Sequence, residues 1–227
     1  MLLFDNVYIA IIGDIVNSKK LDDRNTVQIK LNSILKNINL KYTKCIVSNF
    51  MITLGDEFQG LLRYGNNIMD IISEIEIEMY PVKLRFGIGI GPIVTEIIRE
   101  IPLGADGPAY HNARKMIEEL KKLERKYMAN YSNIMITSEG YNLDIDMLLN
   151  SVFSLCFTMR NKWTARQREI IFSYIKNDKN QYEAAEKLKI GQPSVNKALN
   201  SSGYYSYQKA IETVNKVLSS INGGNYV

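Results

Sequence analysis

Between residues 7 and 90 the chain switches hydrophobic period in a set order, and that order leaves few folds open. Val7–Gly13 is a continuous apolar, β-branched run ending at Asp14, the pattern of a buried strand. Val27, Leu31, Ile34, Leu35 and Ile38 then recur at helical spacing behind Asp22 or Asp23, either of which can cap the helix. Ile46–Leu54 and Phe58–Leu62 are strand-like runs around Gly55-Asp56-Glu57, a hairpin signal, although Asp-Gly is the usual order. Asn67 can cap a second helix carrying Ile68, Ile71, Ile72, Ile75 and Met79 on one face, and Pro81 ends it. Val82–Ile90 alternates, with Lys83, Arg85, Gly87 and Gly89 on one side. Strand, helix, strand, strand, helix, strand is the split βαβ, or ferredoxin-like, arrangement.

The remainder reads as helices with one more strand. A loop at 101–107 leads into a helix from Pro108, well suited to a first helical position, to about Tyr127. Asn133–Ser138 is a candidate strand and Asp144–Met159 a helix linking two halves. Thr164 with Gln167 forms a capping box, and Asn180 with Glu183 can repeat that device. A last helix is expected over Tyr207–Ile221. The expected organisation is α+β: a palm-like domain over 1–140, a linking helix over 141–162 and an all-α domain over 163–227.

Within the last part, residues 180–201 have the pattern of two short helices joined by a tight turn. Ala185 permits a close helix crossing, Leu188 and Ile190 bracket the turn, and Val195 and Leu199 give the second helix one buried stripe. Gln192, Asn196, Lys197 and Asn200 are left on its open face, residue types that bond base edges and phosphates in a major groove. Charge agrees: residues 151–227 hold 11 Lys and Arg against 5 Asp and Glu, while residues 1–150 hold 17 against 19. A basic third fits an electrostatic footprint on a polyanion. The expectation is a DNA-binding helix-turn-helix with Gln192, Ser194, Asn196 and Lys197 nearest the bases and Arg166 and Arg168 on phosphates, acting as a homodimer across two half-sites.

The ferredoxin-like order carries a second expectation. Its first and third strands are antiparallel neighbours, so the end of one meets the start of the other. Asp14 sits at the first place and Asp56 and Glu57 at the second. Clustered carboxylates repel one another, so Mg²⁺ or Mn²⁺ is the natural occupant. Gly87 and Gly89 leave space for a flat ligand, and Arg85 on the same face can pair with its phosphate, which together describe a nucleotide site. The chain's single His and two distant cysteines, Cys45 and Cys156, exclude a zinc site of Cys and His. Both cysteines are expected as reduced core residues of a cytoplasmic protein. Val7–Ile12 is too short for a signal segment, and no run reaches the length of a membrane span.

Gly55-Asp56-Glu57-Phe58 resembles the hairpin signature of diguanylate cyclases. Together with Gly13-Asp14-Ile15-Val16, the run Arg85–Gly91 and Ala109-Tyr-His-Asn-Ala-Arg114, it resembles class III nucleotidyl cyclases in order and spacing. The resemblance implies a palm fold in which Asp14 and either Asp56 or Glu57 bind metal. It implies a metal-dependent cyclase or nucleotidyltransferase as the alternative to a DNA-binding transcription regulator with a sensing palm. His111 and Lys115 fall where those families carry a transition-state Asn and Arg. Gly13–Ser18, Thr53–Leu61, Gly104–Tyr110 and Trp163–Ile170 resemble the SatD family, over nearly the whole chain.

Overall fold

The computed structural model describes residues 7–100, 104–127, 131–140 and 142–220. Five strands form one sheet: β1 (Val7–Ile15), β2 (Ile46–Leu54), β3 (Glu57–Leu62), β4 (Leu84–Pro92) and β5 (Ile134–Thr137). Their order is β2-β3-β1-β4-β5. The first four strands have the ferredoxin-like order, all neighbours antiparallel, and β5 adds in parallel beside β4. The helices are α1 (Arg24–Lys41), α2 (Ile68–Met79), α3 (Pro108–Tyr127), α4 (Leu143–Asn161), α5 (Ala165–Lys176), α6 (Gln181–Leu188), α7 (Gln192–Ser201) and α8 (Tyr204–Ser219). The last helix starts three residues before the expected Tyr207, and residue 221 lies outside the described residues, as does 101–103 of the expected loop. By contacts the chain forms two compact units, residues 1–154 with 214–227, and residues 155–213; the divisions fall inside α4 and α8.

Local chemistry sets the elements of the sheet unit. Asp23 caps α1 by accepting the Thr26 N–H at 2.9 Å, and Leu31, Ile34, Leu35 and Ile38 form its buried stripe. The β2–β3 hairpin closes on Gly55 and Asp56. Gly55 has φ +63° while Asp56 has no positive φ. That is a type II′ turn, which takes glycine first, so Gly-Asp rather than Asp-Gly is the order this hairpin requires. Asn150 of α4 closes the free edge of β5: its side chain accepts from the Ile136 N–H (2.8 Å) and donates to the Ile136 carbonyl (2.9 Å).

The two faces of the sheet are covered differently. Ile9, Ile11, Phe58, Phe86 and Ile88 are fully buried on the face turned away from α3. Ala10, Ile12 and Leu61 point the other way and pack on Ala109, Tyr110, Ala113 and Ile117 of α3. That second face carries the candidate site. Cys45 and Cys156 are free and buried, and burial pushes both thiols up from their ordinary value. Native protein should therefore react with Ellman's reagent orders of magnitude more slowly than protein unfolded in guanidinium, where both thiols titrate at once. Equal rates in the two states would show that neither side chain is sequestered.

Candidate functional sites in the sheet and helical units

Strand register builds a row of charge across the sheet. Asp14 on β1 is the direct partner of Glu57 on β3 and of Arg85 on β4. Directly opposed residues share a face, so all three side chains lie on the side covered by α3. Asp14 and Glu57 are buried. The Arg85 guanidinium donates to Asp14 Oδ2 at 2.8 Å and also to Glu124 on α3. Lys121 reaches the other Asp14 oxygen at 3.3 Å. Arg114 grips Glu57 with two hydrogen bonds, 2.7 and 3.1 Å. That carboxylate raises the Arg114 guanidinium further above its ordinary value, so it stays charged throughout the useful pH range. Asp14, Arg85, Lys121 and Glu124 thus form one ion-pair cluster, and Glu57 with Arg114 a pair beside it.

Asp56 takes no place in that row. It sits in the hairpin turn, where its carboxylate accepts from the Ser18 hydroxyl and its carbonyl accepts from the Ile15 N–H at 3.1 Å. Gly87 and Gly89 lie under α3, and their missing side chains admit its backbone, not an open ligand space. A β carbon on Gly87 would meet the Ala113 carbonyl at 2.1 Å, and one on Gly89 the Ala109 carbonyl at 2.1 Å. Of the helix positions singled out by resemblance, His111 pairs with Asp106 at the surface (2.8 Å) and Lys115 with Glu139 (2.9 Å).

The residues that sequence reasoning missed are Arg114, Lys121 and Glu124. The run from Lys121 to Lys126 reads as a solvated face, yet Lys121 turns inward to Asp14. The available signal was spacing: Arg114, Ile117, Lys121 and Glu124 share one side of α3, with Ile117 buried. Among the described residues no group of three or more His, Cys, Asp or Glu is placed to hold a metal. Both oxygens of Asp14 and both of Glu57 already hold protein cations.

In the helical unit, Thr164 and Gln167 complete the capping box of α5. Asn180 caps α6 by accepting from Tyr182 and Glu183, while Glu183 bonds back to the Asn180 side chain instead of its backbone. The turn after α6 runs through Lys189 in the left-handed region, φ 52°, and the Ile190 N–H closes onto the Ala185 carbonyl at 3.0 Å. Ala184 and Ala185 let α6 approach Ile170, Ile171 and Tyr174 of α5, and Val195 and Leu199 seat α7 on the same core. Two short helices are thus joined by a three-residue turn, with α7 the second.

The six candidate DNA contacts separate. Ser194, Asn196 and Lys197 stand exposed on α7. Ser194 and Lys197 rim a cleft of about 400 Å³ together with Arg166, over a floor of Ile170, Ile190 and Ala198. Gln192 is half-buried and donates to Gln181 at 2.6 Å. Arg168 faces the other way, donating to the Arg160 carbonyl at 2.8 Å and lying over the Trp163 ring. Residues 155–213 carry ten Lys and Arg against five Asp and Glu. Among the described residues no helix is long and apolar enough to cross a membrane.

The model of the SatD family matches residues 8–218. No protein of curated function matches the chain. Among solved structures it is similar to a bacterial light-regulated adenylyl cyclase: 17% identity, 58% of this chain and 76% of that one, TM-score 0.41. It is also similar to the non-canonical dimeric guanylyl cyclase domain of the RhoGC fusion protein from the aquatic fungus Blastocladiella emersonii, at 16% identity, 49% and 72% coverage and TM-score 0.38. A third is the guanylate cyclase domain of RhGC from Catenaria anguillulae in complex with GTP, at 18% identity, 49% and 71% coverage and TM-score 0.37. The family match spans nearly the whole chain, and the chain belongs to the SatD family.

Proposed function

We propose that this SatD-family chain is a DNA-binding regulator whose helical unit grips duplex DNA. The observation that supports DNA binding is the build of α7: one stripe seated on the core, and an opposite side that offers Ser194, Asn196 and Lys197 beside Arg166. Hydroxyl, amide and ammonium groups suit base edges and phosphates, and the unit's excess of cations suits the polyanion. A single recognition helix reads one half-site, so the active form is a homodimer. Leu143, Met147 and Leu148, exposed along α4, offer an apolar surface for the second copy.

The test is fluorescence anisotropy of the full chain with a labelled A+T-rich duplex. Arg166→Glu with Lys197→Glu should weaken binding about tenfold or more, which is about 1.4 kcal/mol. Lys36→Glu, on the exposed side of α1, should leave it unchanged. Equal losses from both variants would mean that α7 is not the contact surface.

A second reading makes the sheet unit a metal-dependent nucleotidyl cyclase or nucleotidyltransferase. The direct opposition of Asp14 and Glu57 favours it; the cations already held by both carboxylates weigh against it. Incubation with Mn²⁺ and each NTP should release no pyrophosphate if the sheet unit is not an enzyme. Release that disappears in Asp14→Ala with Glu57→Ala would establish the enzyme instead.

A further inference from the structure

We infer that Arg85, Lys121 and Arg114 take the place of divalent cations at the Asp14–Glu57 edge, so that the sheet unit is charge-compensated by its own chain and holds no metal there. Two buried carboxylates on adjacent strands repel each other and lose hydration, and a fold keeps both ionised only with compensating positive charge. That charge comes either from solution as a metal ion or from side chains. Here it comes from side chains, oxygen by oxygen. Asp14 Oδ2 takes Arg85 and Oδ1 takes Lys121. Glu57 Oε1 and Oε2 take the two arms of Arg114.

The arrangement is built rather than incidental. Arg85 is held by Glu124 as well as by Asp14, so its guanidinium is tied at two nitrogens. Arg114 and Lys121 are two helical turns apart on α3, and the glycines beneath that helix let it come close enough for both to reach the row. The same helix that fills the space over β4 therefore supplies two of the three cations. Compensation and helix docking are one interaction.

It follows that a metal site is latent in the row. Removing Arg114 and Lys121 leaves Asp14 and Glu57 side by side, with Arg85 on the far side of Asp14 as the one remaining cation of the row. The experiment uses the full chain, melted with excess EDTA and with excess Mn²⁺, and Mn²⁺ binding followed by electron paramagnetic resonance. Wild type should melt at one temperature in both conditions and leave the Mn²⁺ signal unchanged. Arg114→Gln with Lys121→Gln should melt lower by about 5 °C or more in EDTA. It should recover part of that loss in Mn²⁺ and bind the ion, and added Asp14→Asn should abolish the binding.

Wild type that binds Mn²⁺ in a manner lost in Asp14→Asn overturns the inference, and so does a folded double variant that gains no Mn²⁺. Should the double variant not fold, the single Lys121→Gln is tested in the same way, and the wild-type measurement decides independently. None of these readouts involves DNA, so their failure is distinct from failure of the helix-turn-helix reading.

Discussion

Arg85→Ala should lower the stability of the sheet unit by about 3 kcal/mol, the scale for removing one partner from a buried ion pair. Arg85 and Asp14 have side chains only 11% and 6% exposed. Truncation would leave Asp14 with Lys121 alone, at the longer distance of 3.3 Å, and would leave Glu124 without its guanidinium partner. The loss comes from stranded charge, so it should shrink when the charge goes too. Arg85→Ala with Asp14→Asn should cost less than the sum of the two single variants, and the cycle should show a coupling of about 1 kcal/mol or more. Urea unfolding followed by circular dichroism measures all of these. Additive effects would mean that the two side chains do not interact.

Gly89→Ala should be as damaging for a different reason. Its β carbon would sit 2.1 Å from the Ala109 carbonyl oxygen and 2.2 Å from the Ala113 nitrogen. Both are backbone atoms of α3 and cannot turn aside as a side-chain end could. Either α3 lifts from β4 or the strand shifts, at about 3 kcal/mol by the measure of overpacked cores. Lifting α3 would also pull Arg114 and Lys121 from their carboxylates. The variant should therefore lose stability beyond the steric term, seen as a lower urea midpoint and faster exchange of β4 amides. A variant as stable as wild type would place α3 elsewhere.

The sheet was legible because its evidence is periodic. The period of two in Val82–Ile90 and the helical spacing from Val27 to Ile38 each name their element, and the ferredoxin-like order follows from the succession. That order was enough to bring Asp14 toward the hairpin, and the register makes Glu57 its partner. What the row does with its charge was not legible. Lys121 lies in a basic run, and whether such a residue faces water or a carboxylate depends on how α3 is rotated on the sheet, a tertiary choice. Gly87 and Gly89 announced that something approaches the backbone closely. A ligand and a helix leave the same mark in a strand, and only Ala109 and Ala113, small residues four apart, hinted at the helix.

The helical unit was legible for local reasons. Thr164 with Gln167, and Asn180, fix the starts of α5 and α6, and Lys189 could accept the left-handed turn at modest cost. Arg166 and Arg168 could not be told apart by type. They are two residues apart on a helix and point to different neighbours, one to the cleft beside α7 and the other to Trp163.

The most direct measurement is the dependence of duplex affinity on salt, for the full chain and for Lys197→Ala. Binding through α7 predicts an affinity that falls steeply as salt rises, with a log–log slope shallower by about one unit once Lys197 no longer displaces a counterion. No binding at the lowest salt, or identical slopes for both proteins, would contradict the account.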